Sequence, residues 1–160
     1  MIHYGKVIAW AATGDLGKAD TERDLHHAAA KTIPPTRKDF PNLITDVLKI
    51  SDAMLDGKIE YRRGDYDKAF EILRRAVRAD DALRYTEPWG WMVPTRHAYA
   101  ALMLEQGHVE KSSQEDLGLE GSLTRAHQHP NNVWALRGYH ECLTCLGHEP
   151  EARIIKQALD

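Results

Sequence analysis

A short glycine-centred pattern recurs four times, and it constrains the fold more than any other feature of the chain. In each copy a glycine is followed five positions later by a small residue, and stretches with helical periodicity lie on both sides. The four pairs are Gly14 and Ala19, Gly64 and Ala69, Gly107 and Ser112, and Gly147 and Ala152. Glycine ends a helix in the left-handed conformation without a Cβ penalty, and the small residue lets the next helix approach closely. Each copy therefore predicts a helix hairpin.

The second copy shows the helical periodicity most clearly. Ala53, Gly57 and Tyr61 are spaced four residues apart before its glycine, and Ala69 and Leu73 repeat that spacing after it. Such spacing places apolar and small residues on one face of each helix. The two faces are expected to pack against each other.

The stretch from Ala53 to Phe70 resembles a tetratricopeptide repeat. The family's Gly, Tyr, Gly-Asp-Tyr and Ala positions correspond to Gly57, Tyr61, Gly64-Asp65-Tyr66 and Ala69. The fourth copy, from Asn131 to Ala152, is similar and follows His129-Pro130, whereas the third departs most because residues 110–114 are polar. The resemblance implies an all-α fold, a tetratricopeptide-like α-solenoid of about four antiparallel helix pairs.

We predict a single domain over residues 1–160, with repeats at about 2–31, 42–79, 94–119 and 131–159. The four glycines are 50, 43 and 40 residues apart, against about 34 in a standard repeat. The excess is expected in three loops, at residues 32–41, 80–94 and 120–130. The chain also resembles the C-terminal part of longer, functionally uncharacterised bacterial and fungal tetratricopeptide proteins, and its start lacks an obvious helical cap. We therefore expect the tail of a longer protein.

Composition narrows the classes of partner. Apolar residues make up 42% of the chain, charged residues 28%, and the net charge is −3. Nucleic-acid-binding domains usually carry a basic excess, so a nucleic-acid partner is not predicted. No apolar run approaches the roughly 20 residues that cross a bilayer, and no signal peptide is recognisable. With only two cysteines in the chain, a disulfide scaffold is not expected, and a cytoplasmic location is the simplest inference.

The family's groove supplies the main candidate site. In such folds the first helix of each pair lines the concave face, and a few loop residues can reach it. The predicted ligand-binding residues are Met54, Lys58, Tyr61, Arg62, Trp89, Trp91, Arg96, His97, Trp134, Arg137 and Glu141. Lys58, Arg62 and Arg137 could hold a carboxylate, such as a peptide C-terminus, while Tyr61 and Trp134 could stack on an apolar or planar group.

The two loop tryptophans, Trp89 and Trp91, allow two interpretations. They could form a lid or an aromatic wall over the groove. Alternatively, they could plug the gap that the long insertion creates, or one ring could face inward and the other outward.

Two sets of residues contain side chains that could carry chemistry. The first is a zinc-like set, His127, His129, His140, Cys142 and Cys145. Its spacing does not converge on one helix face, and we expect the cysteines to act as small core residues. No metal and no cofactor are predicted.

The second set is an acid–base group of His97, His140 and Glu141, with Arg96 and Arg137 available for an anion. No recognised catalytic motif accompanies it.

The leading hypothesis is a binding module that holds a peptide, a protein segment or a small ligand in its concave groove. The alternative is a small-molecule enzyme of specialised metabolism that uses His97, Glu141 and Arg137 in a pocket under Trp89 and Trp91. Self-association through the terminal helices is a further possibility, because Ile154, Ile155 and Leu159 of the last helix are apolar.

Overall fold

A computed structural model describes residues 2–87, 89–117 and 132–160 of the chain. The protein is mostly helical, so the predicted all-α class is confirmed at that level. The helices are α1 (Ile2–Ala12), α2 (Leu16–Lys31), α3 (Ile44–Arg63), α4 (Tyr66–Asp81), α5 (Thr95–Glu105), α6 (Val109–Leu117), α7 (Val133–Cys145) and α8 (Glu149–Leu159). Two short strands, β1 (Lys38–Asp39) and β2 (Asn42–Leu43), lie between α2 and α3. In the described part of the chain, no helix is long and apolar enough to span a membrane.

Each of the four pattern glycines lies between two helices that contact each other. Gly14, Gly64, Gly107 and Gly147 all have positive φ, between 74° and 86°. At Gly64 the backbone ends α3, and the next residue, Asp65, accepts a hydrogen bond from the Lys68 backbone N–H to open α4. Asp15 caps α2 in the same way. A helix hairpin is therefore present at each of these four glycines, as the sequence predicted.

Residue contacts divide the chain into two compact units, Met1–Met92 and Val93–Asp160. In the first unit α3 packs against both α1 and α2, and α4 packs on α3. In the second unit α7 packs against α5 and α6, and α8 packs on α7. The single domain over residues 1–160 and its arrangement as a solenoid stay predictions.

The first long loop contains a small β-hairpin. Lys38 pairs with Leu43 and Asp39 with Asn42 in antiparallel register. The Asn42 side chain donates to the Arg84 carbonyl oxygen and accepts from the Arg84 N–H, both at 2.8 Å. A single buried amide thus joins the hairpin to the segment that follows α4.

Ser112 occupies the small-residue position of the third copy, where the surrounding polar residues departed most from the family pattern. Its side chain is fully buried. The hydroxyl donates to the Ala100 carbonyl oxygen of α5 at 2.9 Å, and the Cys142 thiol of α7 lies 3.6 Å from it. A buried hydroxyl with a partner incurs little desolvation penalty, so a serine is accommodated at this buried position.

Gly57 lies where α3 and α4 approach each other closely. A Cβ at this position would lie 2.6 Å from Leu73 Cγ and 3.3 Å from the Ala69 carbonyl oxygen. Both neighbours are fully buried, so neither has open space to move into. The pairing of these two helices therefore depends on a position without a side chain.

We predict that Gly57→Ala is about 2 kcal/mol less stable than Gly5→Ala, because overpacking typically costs about 1–3 kcal/mol. Both substitutions gain the same helix propensity of about 1 kcal/mol. Gly5 is a matched control because a Cβ there would meet nothing within 4 Å. Urea denaturation of the two variants measures the difference, and equal stabilities would contradict the close-approach argument.

Candidate groove between α5 and α7

Two helices of the second unit, α5 and α7, border a cavity of about 470 Å³. Its volume falls within the roughly 300–1,000 Å³ usual for ligand pockets. The described residues that line it are His97, Ala101, Leu104, Glu105, Trp134, Arg137, Gly138 and Glu141. We call this cavity the α5–α7 groove.

Helical spacing explains why these side chains meet. On α5 the lining residues begin at His97 and recur four, seven and eight positions later. On α7 they begin at Trp134 and recur three, four and seven positions later. Both sets follow the 3.6-residue period that places side chains on one face, and α5 and α7 contact each other directly. His97, Trp134, Arg137 and Glu141, which the sequence assigned to one groove, therefore line one cavity.

The centre of the groove has the smallest side chains. Ala101 lies on α5 between His97 and Leu104, and Gly138 lies on α7 between Arg137 and Glu141. Ala101 is exposed. A methyl group and a hydrogen at these two positions leave room for a ligand to approach the helix backbones.

Charged and aromatic groups surround that centre. Trp134 is 75% exposed, and Glu105, Arg137 and Glu141 are also exposed. None of these three charged side chains is ion-paired with another described residue. The groove therefore offers an indole face and three ionic groups to a ligand.

A second cavity, of about 540 Å³, lies between α7 and α8. The described residues that line it are Val133, Arg137, His140, Glu141, Thr144, Cys145, Lys156, Leu159 and Asp160. Arg137 and Glu141 border both cavities. His140 belongs to this cavity and His97 to the α5–α7 groove, so the predicted acid–base trio is divided between the two.

Met54 and Tyr61 are placed differently from the sequence prediction. They are only 3% and 4% exposed, and the Tyr61 ring contacts the rings of Tyr66 and Phe70. These apolar side chains pack within their own helix pair, since that contact removes more apolar surface from water than an open groove would. They offer almost no surface to a ligand.

Lys58 and Arg62, on the same helix, keep surface that a ligand can reach. Burial lowers the pKa of Lys58 from its usual 10.5, and the positive charge of Arg62 one turn later lowers it further. Lys58 has no carboxylate partner among the described residues. A bound anion would therefore offset the desolvation cost of the partly buried Lys58 ammonium, which no described carboxylate offsets.

The two loop tryptophans face different environments. Trp91 is 6% exposed, and its ring packs edge-on against Tyr4 with centroids 5.4 Å apart. Trp89 is 45% exposed. Trp91 thus seals the first unit, while Trp89 keeps a surface that a ligand could contact. Pro88 lies outside the described residues.

The remaining sequence candidates are placed as follows. Arg96 is half-buried in the first turn of α5 and is not among the described residues that line the groove.

Cys142 is fully buried, as expected of a core residue, but Cys145 is exposed, so its predicted core role is wrong. Cys145 is the last residue of α7, and its side chain lines the second cavity. His127 and His129 lie outside the described residues. Within the described residues, no group of three or more metal-ligating side chains occurs.

A buried histidine cluster in the first unit escaped the sequence analysis. His26 of α2 is 4% exposed, and its Nε2 lies 3.1 Å from Asp52 Oδ1 and 2.9 Å from Ser51 Oγ of α3. Tyr4 approaches the same imidazole edge-on, and burial raises the pKa of Tyr4 to about 12. Ser51 and Asp52 are 25 and 26 residues from His26 in sequence, so no local spacing links them to the histidine.

The cluster is not a Ser-His-Asp relay. In such a relay the serine and the aspartate contact different ring nitrogens, whereas here both contacts fall on Nε2. Ser51 is also only 1% exposed, so no substrate reaches its hydroxyl. The cluster acts as a structural link between α2 and α3.

Comparisons with known proteins return no significant match: no family model matches the chain, and neither does any curated protein or solved structure.

We predict that the protein loses stability as the pH falls below about 6.5 because of His26. Burial lowers the pKa of His26 below its usual 6.5, and this outweighs the opposing effect of the Asp52 carboxylate. The unfolded chain therefore binds a proton that the folded chain resists, so the free energy of unfolding is highest above pH 6.5 and falls below it. Urea denaturation at several pH values measures the slope.

His26→Gln should flatten that slope, because the amide does not titrate. The exposed His148 provides the control, and His148→Gln should leave the slope unchanged. An equal slope in wild type and His26→Gln would show that another group is responsible.

Proposed function

We propose that the protein is a binding module that holds a peptide or protein segment in the α5–α7 groove. The observation that supports this best is the convergence of two helix faces around one cavity, with a 75% exposed Trp134 at its edge. An exposed indole offers a partner a large apolar ring with a polar N–H at its edge. We also propose, from the resemblance to tetratricopeptide repeats, that the helix pairs stack as an α-solenoid that presents this groove.

The small groove centre and the exposed ionic groups suit an extended chain. A peptide backbone can approach over Ala101 and Gly138, while its side chains reach Trp134 and the two carboxylates, Glu105 and Glu141. Recognition of short segments in grooves between helices is a common mode of binding for helical-repeat folds.

Lys58 and Arg62 form a separate cationic surface on α3 of the first unit. We propose that this surface contacts a carboxylate of a bound partner, because Lys58 lacks a counterion among the described side chains. Lys58→Ala should weaken capture of an acidic partner without loss of fold.

A small-molecule enzyme is a second candidate, because His97 and Glu141 line the same cavity. Trp91 does not support the predicted pocket wall, since its ring is buried against Tyr4.

Self-association through α8 is also a proposal: Ile154 is 66% exposed and Ile155 is half-buried. Sedimentation at several protein concentrations tests it, and a concentration-independent monomer would exclude it.

We predict that filling the groove abolishes peptide capture. Ala101→Trp introduces an indole at the groove centre, and because Ala101 is exposed, the core is not overpacked. Display of a random library of 12-residue peptides on the immobilised protein should enrich sequences that bind wild type and not Ala101→Trp. Trp134→Ala and Arg137→Ala should each weaken the enriched peptides by about 1–2 kcal/mol, the usual scale for an interface anchor.

Ala28→Trp is the matched control, since Ala28 is an exposed alanine within α2. It should retain wild-type capture. If selection enriches no peptide that Ala101→Trp excludes, the groove is not a peptide-binding site.

A further inference from the structure

We propose that the α5–α7 groove selects peptides that carry a lysine or arginine side chain, which it seats between the Trp134 indole and the carboxylates of Glu105 and Glu141. This inference rests on the proposed binding function and specifies the chemistry of its ligand. It comes from the balance of charge in the groove, from the position of the indole, and from a similar contact elsewhere in the chain.

Among the described residues that line the groove, carboxylates outnumber guanidinium groups. Two carboxylates, Glu105 on α5 and Glu141 on α7, face one guanidinium, Arg137. Neither carboxylate is ion-paired with another side chain in the described part of the protein. An acidic ligand would add a third negative charge, whereas a basic side chain would reduce the excess.

Trp134 supplies an aromatic face for a cation on the same face of α7 that carries Glu141. It occupies the first turn of α7, and Arg137 and Glu141 follow it three and seven residues later on the same face. Indole is the strongest of the side-chain π systems for attracting a cation. Because Trp134 is 75% exposed, its ring has surface available to a ligand.

The chain already contains a contact of this kind on another helix pair. Lys18 Nζ lies 4.4 Å from the centroid of the Trp10 ring, and the same ammonium pairs with Asp15 at 2.7 Å. An indole and a carboxylate thus share one lysine there. Trp134 with Glu141 offers the same two groups without an internal lysine among the groove-lining residues.

Arg137 does not reverse this preference. It is a single cation located one helical turn from Glu141, and a peptide carboxylate that approached it would also approach Glu141 and Glu105. We expect Arg137 instead to orient the bound segment through a backbone carbonyl oxygen, which a guanidinium can recognise without a full negative charge.

The test is the composition of the peptides enriched by display and excluded by Ala101→Trp. Lysine and arginine should be over-represented in them, and aspartate and glutamate under-represented, relative to the unselected library. Enrichment of acidic or uncharged peptides would overturn this inference and leave the proposed binding function standing. Failure to enrich any groove-dependent peptide would instead remove both.

A charge-matched pair of double variants tests the mechanism on an enriched basic peptide. Glu105→Gln with Glu141→Gln should weaken binding about three- to tenfold at 150 mM salt, the range expected for two solvent-exposed charge contacts. The control, Glu110→Gln with Glu151→Gln, removes two exposed carboxylates outside the groove and changes the net charge equally. It should leave affinity within about twofold.

Fluorescence polarisation with the labelled peptide measures both affinities, and circular dichroism checks that the variants fold. Equal weakening by the two double variants would mean that only net charge attracts the peptide, and it would overturn the proposed cation seat. A peptide in which each basic residue is replaced by glutamine should lose affinity for wild type and be insensitive to the Glu105 and Glu141 substitutions.

Discussion

Each helix pair in the described part of the chain depends on one backbone conformation, a glycine with positive φ between its two helices. A residue with a Cβ would pay about 1–2 kcal/mol for that conformation, and four such turns occur, at Gly14, Gly64, Gly107 and Gly147. The reversal sets the second helix antiparallel to the first and places the small residue five positions later against it. The faces that pack, and the faces that stay exposed, follow from that geometry.

Within this frame, some buried polar side chains have hydrogen-bond partners on a neighbouring helix. Ser112 donates to a carbonyl oxygen of the neighbouring helix, and His26 shares its Nε2 between Asp52 and Ser51. Both residues tie one helix to another at a point where an apolar side chain would supply only packing. In a small unit with few helices, such directional contacts help to define a single packing arrangement.

The sequence predicted the features that depend on local periodicity. The helix pairs follow from the spacing around each glycine, and the groove set His97, Trp134, Arg137 and Glu141 follows from the 3.6-residue period of α5 and α7. Local periodicity did not predict contacts between segments that are distant along the chain. Nothing in the local pattern joins His26 to Asp52, or Asn42 to Arg84, because no spacing rule relates residues so far apart.

The environment of some side chains was predicted wrongly from the helical periodicity, because it depends on neighbouring elements. Tyr61 was assigned to a groove by analogy with repeats, but its ring packs against Tyr66 and Phe70. Cys145 was assigned to the core because leucines surround it in sequence, yet it lies near the end of α7 and is exposed. Periodicity identifies a helix face, and only the neighbouring elements determine whether that face is covered.

The two residues shared by both cavities of the second unit have a consequence for how the cavities respond to ligands. Arg137 and Glu141 border the α5–α7 groove and also the cavity between α7 and α8. A side chain drawn toward an occupant on one side of α7 is withdrawn from the other side. If ligands bound in both cavities and each recruited Arg137 or Glu141, their binding would be thermodynamically linked, and each would lower the affinity for the other by the same factor.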